Sequence, residues 1–468
     1  MTYAQLGERV AGCADALSAL GVGHGDCVAA LTHPGADFLV SFLAAGRLGA
    51  VWLGLNPKYT LAELETVLTD AGPKVVLCRA AWRDRDYESE LSSLSSLGRK
   101  MDISSIEDLA RREAPLPGHA IMAGPDDPAL LVFTSGTTGR PKGALISHKS
   151  ILNAAYVRLR AWGHENLRAL LNLPINHVGG ASDIVGPALL SGGTLICMEN
   201  FSASRTAAII DAEAITFLYQ IPTQLQLMLA APQTASARLD SLRRVCWSGA
   251  RAPDDLVDAL AARFPGCLGS DYSMTESVGP VALFGSDASV EVLKSAVGCP
   301  PPGRDVRLDE TTSEILVRDD YLFSNYLDRP DATAATLHEG WLRTGDIGAF
   351  DDRGFLKLVG RVKDMFVSGG YNVYPAEIER VLESHPDVDM AALIPVADEL
   401  WGEVGHAYIA SEKGVDPSAL KALCRLKLAN YKLPKAFSVK PVLPMLPIGK
   451  VDKAALSKDS GGEAGRST

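Results

Sequence analysis

Lys142 closes a run, Leu131-Val132-Phe133-Thr134-Ser135-Gly136-Thr137-Thr138-Gly139-Arg140-Pro141-Lys142-Gly143, in which an apolar stretch gives way to small hydroxyls and glycines. Those residue types suit a phosphate. Glycines let backbone N–H groups come close to an anion. Hydroxyls donate to its oxygens, and the lysine adds a point charge. The spacing is not that of a Walker loop, and Gly449-Lys450 is followed by Val451, so it fails as well. No serine has glycines at both flanking offsets, which removes the nucleophile elbow of the α/β-hydrolases.

The elements that must carry this loop are legible from periodicity. Tyr3, Leu6, Val10, Leu17 and Leu20 recur near helical spacing and stop at Gly21. Apolar runs at Cys27–Leu31, Val51–Leu55 and Val75–Cys78 read as strands, and helical patterns cover 37–48 and 61–69. Helix and strand alternate, which predicts a layered α/β fold. Between 83 and 125 the pattern weakens, and serines and charges around 92–105 read as a surface excursion. Alternation resumes over 130–284. From 298 to 358 prolines cluster and short alternating runs such as 314–317 predict β-structure. A smaller mixed segment follows from 364 to 456.

Composition narrows the function classes. The chain of 468 residues has room for about three folding units. Its net charge of -11 speaks against a nucleic-acid binder, which would show a basic face. The eight cysteines are scattered with no metal spacing, as expected of core thiols in a reducing compartment. No His-Glu-x-x-His pattern supports a zinc hydrolase. The N-terminus starts in helical pattern without a leader-like basic and apolar region, and no run of 18 apolar residues predicts a membrane span. A cytoplasmic location is expected. Oligomeric state is not written in one chain's sequence.

The loop 131–143 resembles the phosphate loop of the adenylate-forming superfamily, which contains acyl- and aryl-CoA synthetases, luciferases and the adenylation domains of peptide synthetases. Further motifs follow in that family's order, and the likeness runs from Thr2 to about residue 456. They are Ser248-Gly249-Ala250, Tyr272-Ser273-Met274-Thr275-Glu276, Trp341-Leu342-Arg343-Thr344-Gly345-Asp346, Gly360-Arg361-Val362-Lys363-Asp364, Ser368-Gly369-Gly370-Tyr371-Asn372 and Pro447-Ile448-Gly449-Lys450. The acyl- and aryl-CoA ligases are the nearest branch.

The resemblance implies a fold and a set of roles. A large N-terminal domain of layered α/β sheets with a small β-barrel-like part would occupy 1–361. A hinge would lie at 362–363, a small mobile α+β domain at 364–456 and a disordered tail at 457–468. Thr134, Ser135, Gly136, Thr137, Thr138, Gly139 and Lys142 would hold the phosphates of ATP. Tyr272 would stack on adenine, beside Gly249 and Ala250. Thr275 would lie near phosphate, and Glu276 would hold Mg²⁺, for which a carboxylate is a suitable hard ligand. Asp346 would accept from the ribose hydroxyls, with Arg361 reaching ribose or phosphate. Lys450 would contact the acid's carboxylate and the α-phosphate as the adenylate forms. Lys363 matches the hinge position, and Gly369 and Gly370 would line the path of coenzyme A.

The same likeness implies the partners: a small carboxylic acid, ATP, and coenzyme A as acceptor, with a carrier-protein thiol or an amine as alternative acceptors. A homologue that binds nucleotide or acyl ligand without turnover is a further alternative. Leu173-Pro174-Ile175-Asn176-His177-Val178-Gly179-Gly180 resembles the acyl-pocket motif of the CoA ligases. His177, Gly179, Gly180, Ser248 and Ser273 would shape that pocket, with His177 and Thr134 near the reacting groups. Ser273 stands where the family usually has glycine, which would narrow it. The glycines and Ala181 suggest room for a bulky apolar acid, of aryl, cinnamyl-type or medium-chain kind. His177 argues against an α-amino acid, although Asp183 lies close by in sequence. An ordinary packed histidine is the plain alternative for His177. Lys421, Arg425, Lys427, Lys432 and Lys435 could receive the phosphates of coenzyme A or form a solvated helix face.

Overall fold

The computed structural model describes all residues except 80, 83–84, 95–101, 115–122, 135–140, 164–166, 286–287, 446–450 and 464–468. By contacts the chain divides into two compact units. The first comprises 1–306, 317–343 and 352–356; the second comprises 307–316, 344–351 and 357–468.

The first unit is built on two sheets. In the seven-stranded sheet the order is Asn325–Tyr326, Lys142–Ser147, Pro128–Thr134, Val51–Leu55, Cys27–Leu31, Val75–Cys78 and Asp102–Ser105. Its inner strands run parallel, and Lys142–Ser147 turns back antiparallel on Pro128–Thr134. The strands at 27–31, 51–55 and 75–78 have the bounds their apolar runs predict, and nearly every residue in them is buried. Continuous apolarity is what a parallel sheet covered on both faces requires.

The second sheet has the order Thr194–Cys197, Arg168–Leu171, Phe217–Gln220, Arg244–Trp247, Leu268–Tyr272 and Ala282–Leu283, parallel except at the last pair. Its core includes Leu170, Leu218, Val245, Trp247, Leu256 and Leu260. The carboxyl ends of four neighbouring strands thus lie side by side at Leu171, Gln220, Trp247 and Tyr272. In parallel sheets that edge is where ligands bind.

The second unit carries its own sheet, order Tyr371–Val373, Phe366–Ser368, Gly402–Ala410 and Met390–Asp398, with Ala436–Lys440 added parallel to Gly402–Ala410. The helices Pro375–Glu383 and Pro417–Lys427 supply Ile378, Leu382 and Leu420 to a core shared with Leu393 and Ile409.

Two expectations need correction. The stretch around 92–105 is not all surface excursion: Asp102–Ser105 joins the first sheet parallel to Val75–Cys78, and Ile106–Arg111 buries Ile106 and Leu109. An edge strand has one neighbour, so a short polar run suffices and leaves little apolar signal. The chain also stays regular past 457, because a helix covers Lys453–Glu463. Asp452 accepts from the Ala455 amide, a helix-start bond, and buried Leu456 anchors the first turns.

Candidate active site

Register in the first sheet sets the phosphate loop. Thr134 pairs with Lys142, and the Thr134 hydroxyl donates to the Lys142 carbonyl at 3.4 Å. The two ends of the loop are therefore side by side. Ser135, Gly136, Thr137, Thr138 and Gly139 lie outside the described residues.

Tyr326 was not visible as a site residue in the sequence. It lies opposite Ala144 on the edge strand. Lys142 Nζ stands 5.1 Å from its ring centroid, and its phenol donates to Glu276 Oε1. Lys142, Tyr326 and Glu276 thus form one cluster at the loop's end. Burial and the Glu276 charge push the Tyr326 phenol far above its ordinary pKa, so it stays a donor. Glu276 itself is 7% exposed, in the 3₁₀ turn Thr275–Ser277.

The chain after Glu276 is strained and gripped. Val278 has φ of +58° although it is β-branched and fully buried. Such a conformation costs on the order of 1–3 kcal/mol and persists only where neighbours impose it. Arg304 is the chief neighbour. Its Nη1 donates to the Gly279 and Pro280 carbonyls at 2.8 and 2.9 Å, and its Nη2 donates to the Ser277 carbonyl at 3.0 Å. Asp319 pairs with its Nε.

The carboxyl edge of the second sheet holds the expected acyl end. Ser248 Oγ donates to the Asp271 carbonyl at 3.0 Å and lies 3.3 Å from Ser273 Oγ. Tyr272, at the strand's end, is buried; Gly249 and Ala250 are exposed. His177 is exposed to solvent, with enough protein around its ring to desolvate it in part. The loss of bulk water lowers its imidazole below the usual 6.5.

Gly180 does not open the pocket. A Cβ there would lie 2.3 Å from the Pro174 carbonyl oxygen, so the missing side chain serves close backbone packing. Ala181 is fully buried. Both sit in the π-helical turn Gly179–Ile184. The room predicted from these two residues is therefore absent; Gly179 alone would accept a side chain with ordinary contacts.

Behind Ser248 lies a buried ionic cluster. Arg158 Nη2 donates to Asp271 Oδ2 at 2.8 Å, and Tyr219 donates to Asp271 Oδ1 at 2.9 Å. Arg158 Nη1 stands 3.0 Å from Asp183 Oδ1, an ion-pair contact without hydrogen-bond alignment. Burial and the second carboxylate push Asp183 up to about 7, against the pull of Arg158. Asp183 is thus committed to Arg158 and is not a free counter-ion for a substrate amine. The sequence held a signal for this. Arg158 falls on the stripe Ile151, Ala154, Ala155, Leu159, Trp162, the buried face of the helix His148–Trp162, and an arginine there requires an acidic partner.

Four further buried polar atoms have no hydrogen-bond partner among the described residues: Asn172 Nδ2, Asn176 Oδ1, Ser182 Oγ and Gln220 Oε1. Each such atom costs about 1–3 kcal/mol if left unpaired.

Within the second unit, Asp346 Oδ1 and Arg361 Nε are 2.8 Å apart, so two predicted ribose contacts are brought together. Lys363 is exposed. Gly369 and Gly370 form a two-residue hairpin turn between Phe366–Ser368 and Tyr371–Val373, with φ of +57° and +85° that only glycine adopts freely. Lys450 lies outside the described residues, but Met445 and Val451 bridge on either side of it. Of the basic residues, Lys432 is bound to Glu377 at 2.7 Å and Lys427 donates to Ser384 at 3.1 Å.

The family profile of the AMP-binding enzymes matches residues 1–327, and that of the AMP-binding enzyme C-terminal domain matches 377–450. A feruloyl-CoA synthase of Amycolatopsis is 35% identical, over 98% of this chain and 94% of its own length. A long-chain-fatty-acid–CoA ligase of Mycobacterium tuberculosis is 34% identical, over 97% and 92%. Among solved structures, the ATP-bound MatB of Rhodopseudomonas palustris superposes with a TM-score of 0.87 at 29% identity, covering 98% of this chain and 93% of that one.

Proposed function

The chain belongs to the AMP-binding enzyme family, and from that premise we propose that it is an ATP-dependent acid–CoA ligase. The acid's carboxylate attacks the α-phosphorus of ATP and expels pyrophosphate, giving an acyl-AMP. The coenzyme A thiol then attacks the acyl carbonyl. The thioester forms, AMP leaves, and the thiol proton passes to solvent.

The observation that carries this reading is the cluster of Lys142, Tyr326 and Glu276 at the end of a loop whose two strands are held in register. Lys142 and the loop's donors offset charge on the phosphates, and Lys450 offsets charge developing at the α-phosphorus. The carboxylate is already a competent nucleophile, so positioning supplies the rest. Glu276 fits a magnesium ion shared with nucleotide phosphates. One carboxylate plus substrate oxygens is a donor set that Mg²⁺ accepts, and the described residues hold no group of three or more ligands that would cage a metal. Bound there, the ion would neutralise phosphate charge.

Asp346 and Arg361 hold the ribose end. Lys363 is the hinge, about which the segment 364–456 exchanges Lys450 for the Gly369-Gly370 turn between half-reactions. The acid is of aryl, cinnamyl-type or medium-chain kind. No helix among the described residues is long and apolar enough to cross a membrane.

The test is pyrophosphate and AMP release with Mg·ATP across a panel of such acids, with and without coenzyme A, products read by mass spectrometry. Acyl-CoA is the expected product. Pyrophosphate without acyl-CoA would move the acceptor to a carrier-protein thiol or an amine. No pyrophosphate with any acid would overturn the reading.

A further inference from the structure

Glu276 is held through its side chain and through its backbone. Tyr326 donates to its carboxylate, and the Phe323 amide donates to its carbonyl at 3.0 Å. Two residues later the chain makes a γ-turn of the strained hand. The Gly279 amide donates to the Ser277 carbonyl at 2.6 Å, around Val278 at φ of +58° and ψ of -51°. This hand of γ-turn is rare, and a β-branched residue at its centre is a true outlier. Strain of this kind persists only where the surroundings over-determine it.

Arg304 supplies that constraint. Its guanidinium donates to the Ser277 carbonyl on one side of Val278 and to the Gly279 and Pro280 carbonyls on the other. Its Nε meets one oxygen of Asp319, whose other oxygen accepts from the Tyr321 amide at 2.8 Å. Asp319 opens the segment that runs through Phe323 to Tyr326. One side chain therefore ties the turn after Glu276 to the segment that supplies the Phe323 and Tyr326 donors. The Arg304 and Asp319 side chains are each 4% exposed, so solvent offers these bonds little competition.

We propose that Arg304, with Asp319, is the positioning residue for Glu276. It holds the γ-turn in register with Tyr326, so that the carboxylate stands ready for the magnesium ion that accompanies the nucleotide. Arg304 acts on the reaction through Glu276 and not on the nucleotide itself. The proposal rests on the ligase reading above and goes beyond it by naming what sets the metal end. A planar guanidinium donates in several fixed directions at once, which a lysine ammonium does not reproduce. A displacement of about 1 Å in such a site is enough to cost up to about 10²-fold in rate.

The test uses the full chain and the substitution Arg304→Lys, which keeps a cation opposite Asp319 and removes the fork. Mn²⁺ is the probe, bound in the presence of a non-hydrolysable α,β-methylene analogue of ATP and read by electron paramagnetic resonance. Its dissociation constant is expected to rise at least about fivefold. The half-saturating Mg²⁺ concentration in pyrophosphate release should rise with it, while KM for the acid stays within about twofold. In a Glu276→Gln background the same substitution should weaken Mn²⁺ binding no further, because the group it positions is gone. Equal losses in both backgrounds, or unchanged Mn²⁺ binding in folded Arg304→Lys, would overturn the proposal. If Arg304→Lys does not fold, Asp319→Asn decides. It loosens only the Nε side and should shift Mn²⁺ binding the same way by about two- to fivefold; no shift would overturn the proposal. Absence of pyrophosphate with every acid would overturn the ligase reading, with Mn²⁺ binding still deciding the role of Arg304. Absence of Mn²⁺ and analogue binding to the unaltered chain would overturn both.

Discussion

At Glu276 a single carboxylate meets a neutral phenol and, beyond it, Lys142, whereas at Arg158 one guanidinium is enclosed with two carboxylates and a second phenol away from solvent. Both clusters belong to the first unit, and both join a tyrosine to a carboxylate. They differ in how firmly the charges are committed. Lys142 touches Glu276 only through the Tyr326 ring, so both charges can take new partners when an anion or cation arrives. Arg158, Asp183 and Asp271 are spent on one another. The first arrangement is what a binding site for phosphate and metal needs. The second ties the strands Phe217–Gln220 and Leu268–Tyr272 to the π-helical turn Gly179–Ile184.

If that contrast is right, Arg158→Met has the largest effect. It leaves two buried carboxylates without their cation and should cost about 3–5 kcal/mol, read by urea or thermal unfolding. A loss below about 1 kcal/mol would mean the triad is not the structural member of the pair. Glu276→Gln should instead leave unfolding nearly unchanged and lower acid-dependent pyrophosphate release by roughly 10²-fold, with a higher half-saturating Mg²⁺ concentration. Equal losses of stability and rate would erase the distinction. Tyr326→Phe should be milder, costing about 1 kcal/mol and slowing adenylation by up to about tenfold, since Glu276 keeps its charge but loses a fixed donor.

The smallest effect is a pH slope. Asp183 ionises near 7 in the fold and at roughly 3.9 in an unfolded chain. Its contribution to stability is therefore complete below about pH 4 and fades as pH rises toward 7. Asp183→Asn should flatten that decline in melting temperature across the window. An unchanged slope would place the titration elsewhere.

Much of the phosphate end was legible because it is local. The loop 131–143 and the Tyr272–Glu276 segment are contiguous, and the strands at 27–31, 51–55 and 75–78 announce themselves as unbroken apolar runs. What escaped was set by distance or by backbone. Tyr326 is 50 residues from Glu276, and Arg158 is 113 from Asp271; no periodicity pairs residues so far apart. Gly180 read as open space, but its hydrogen is spent against the Pro174 carbonyl, a contact visible only once the loop is folded. Asp102–Ser105 escaped because a polar edge strand has no apolar signature. Among the predicted ribose contacts, Asp346 and Arg361 were legible as motifs, while their mutual ion pair was not.

Val278, held at φ of +58° beside Glu276, has a consequence for anyone engineering this chain. Glycine would relax the backbone there but would also empty a fully buried side-chain site and loosen the unfolded chain, so a library screened for survival at high temperature should reject it. A library screened for turnover should reject it as well, because the same freedom lets the Glu276 turn drift. Heat tolerance and catalytic speed would thus select the same residue at one codon.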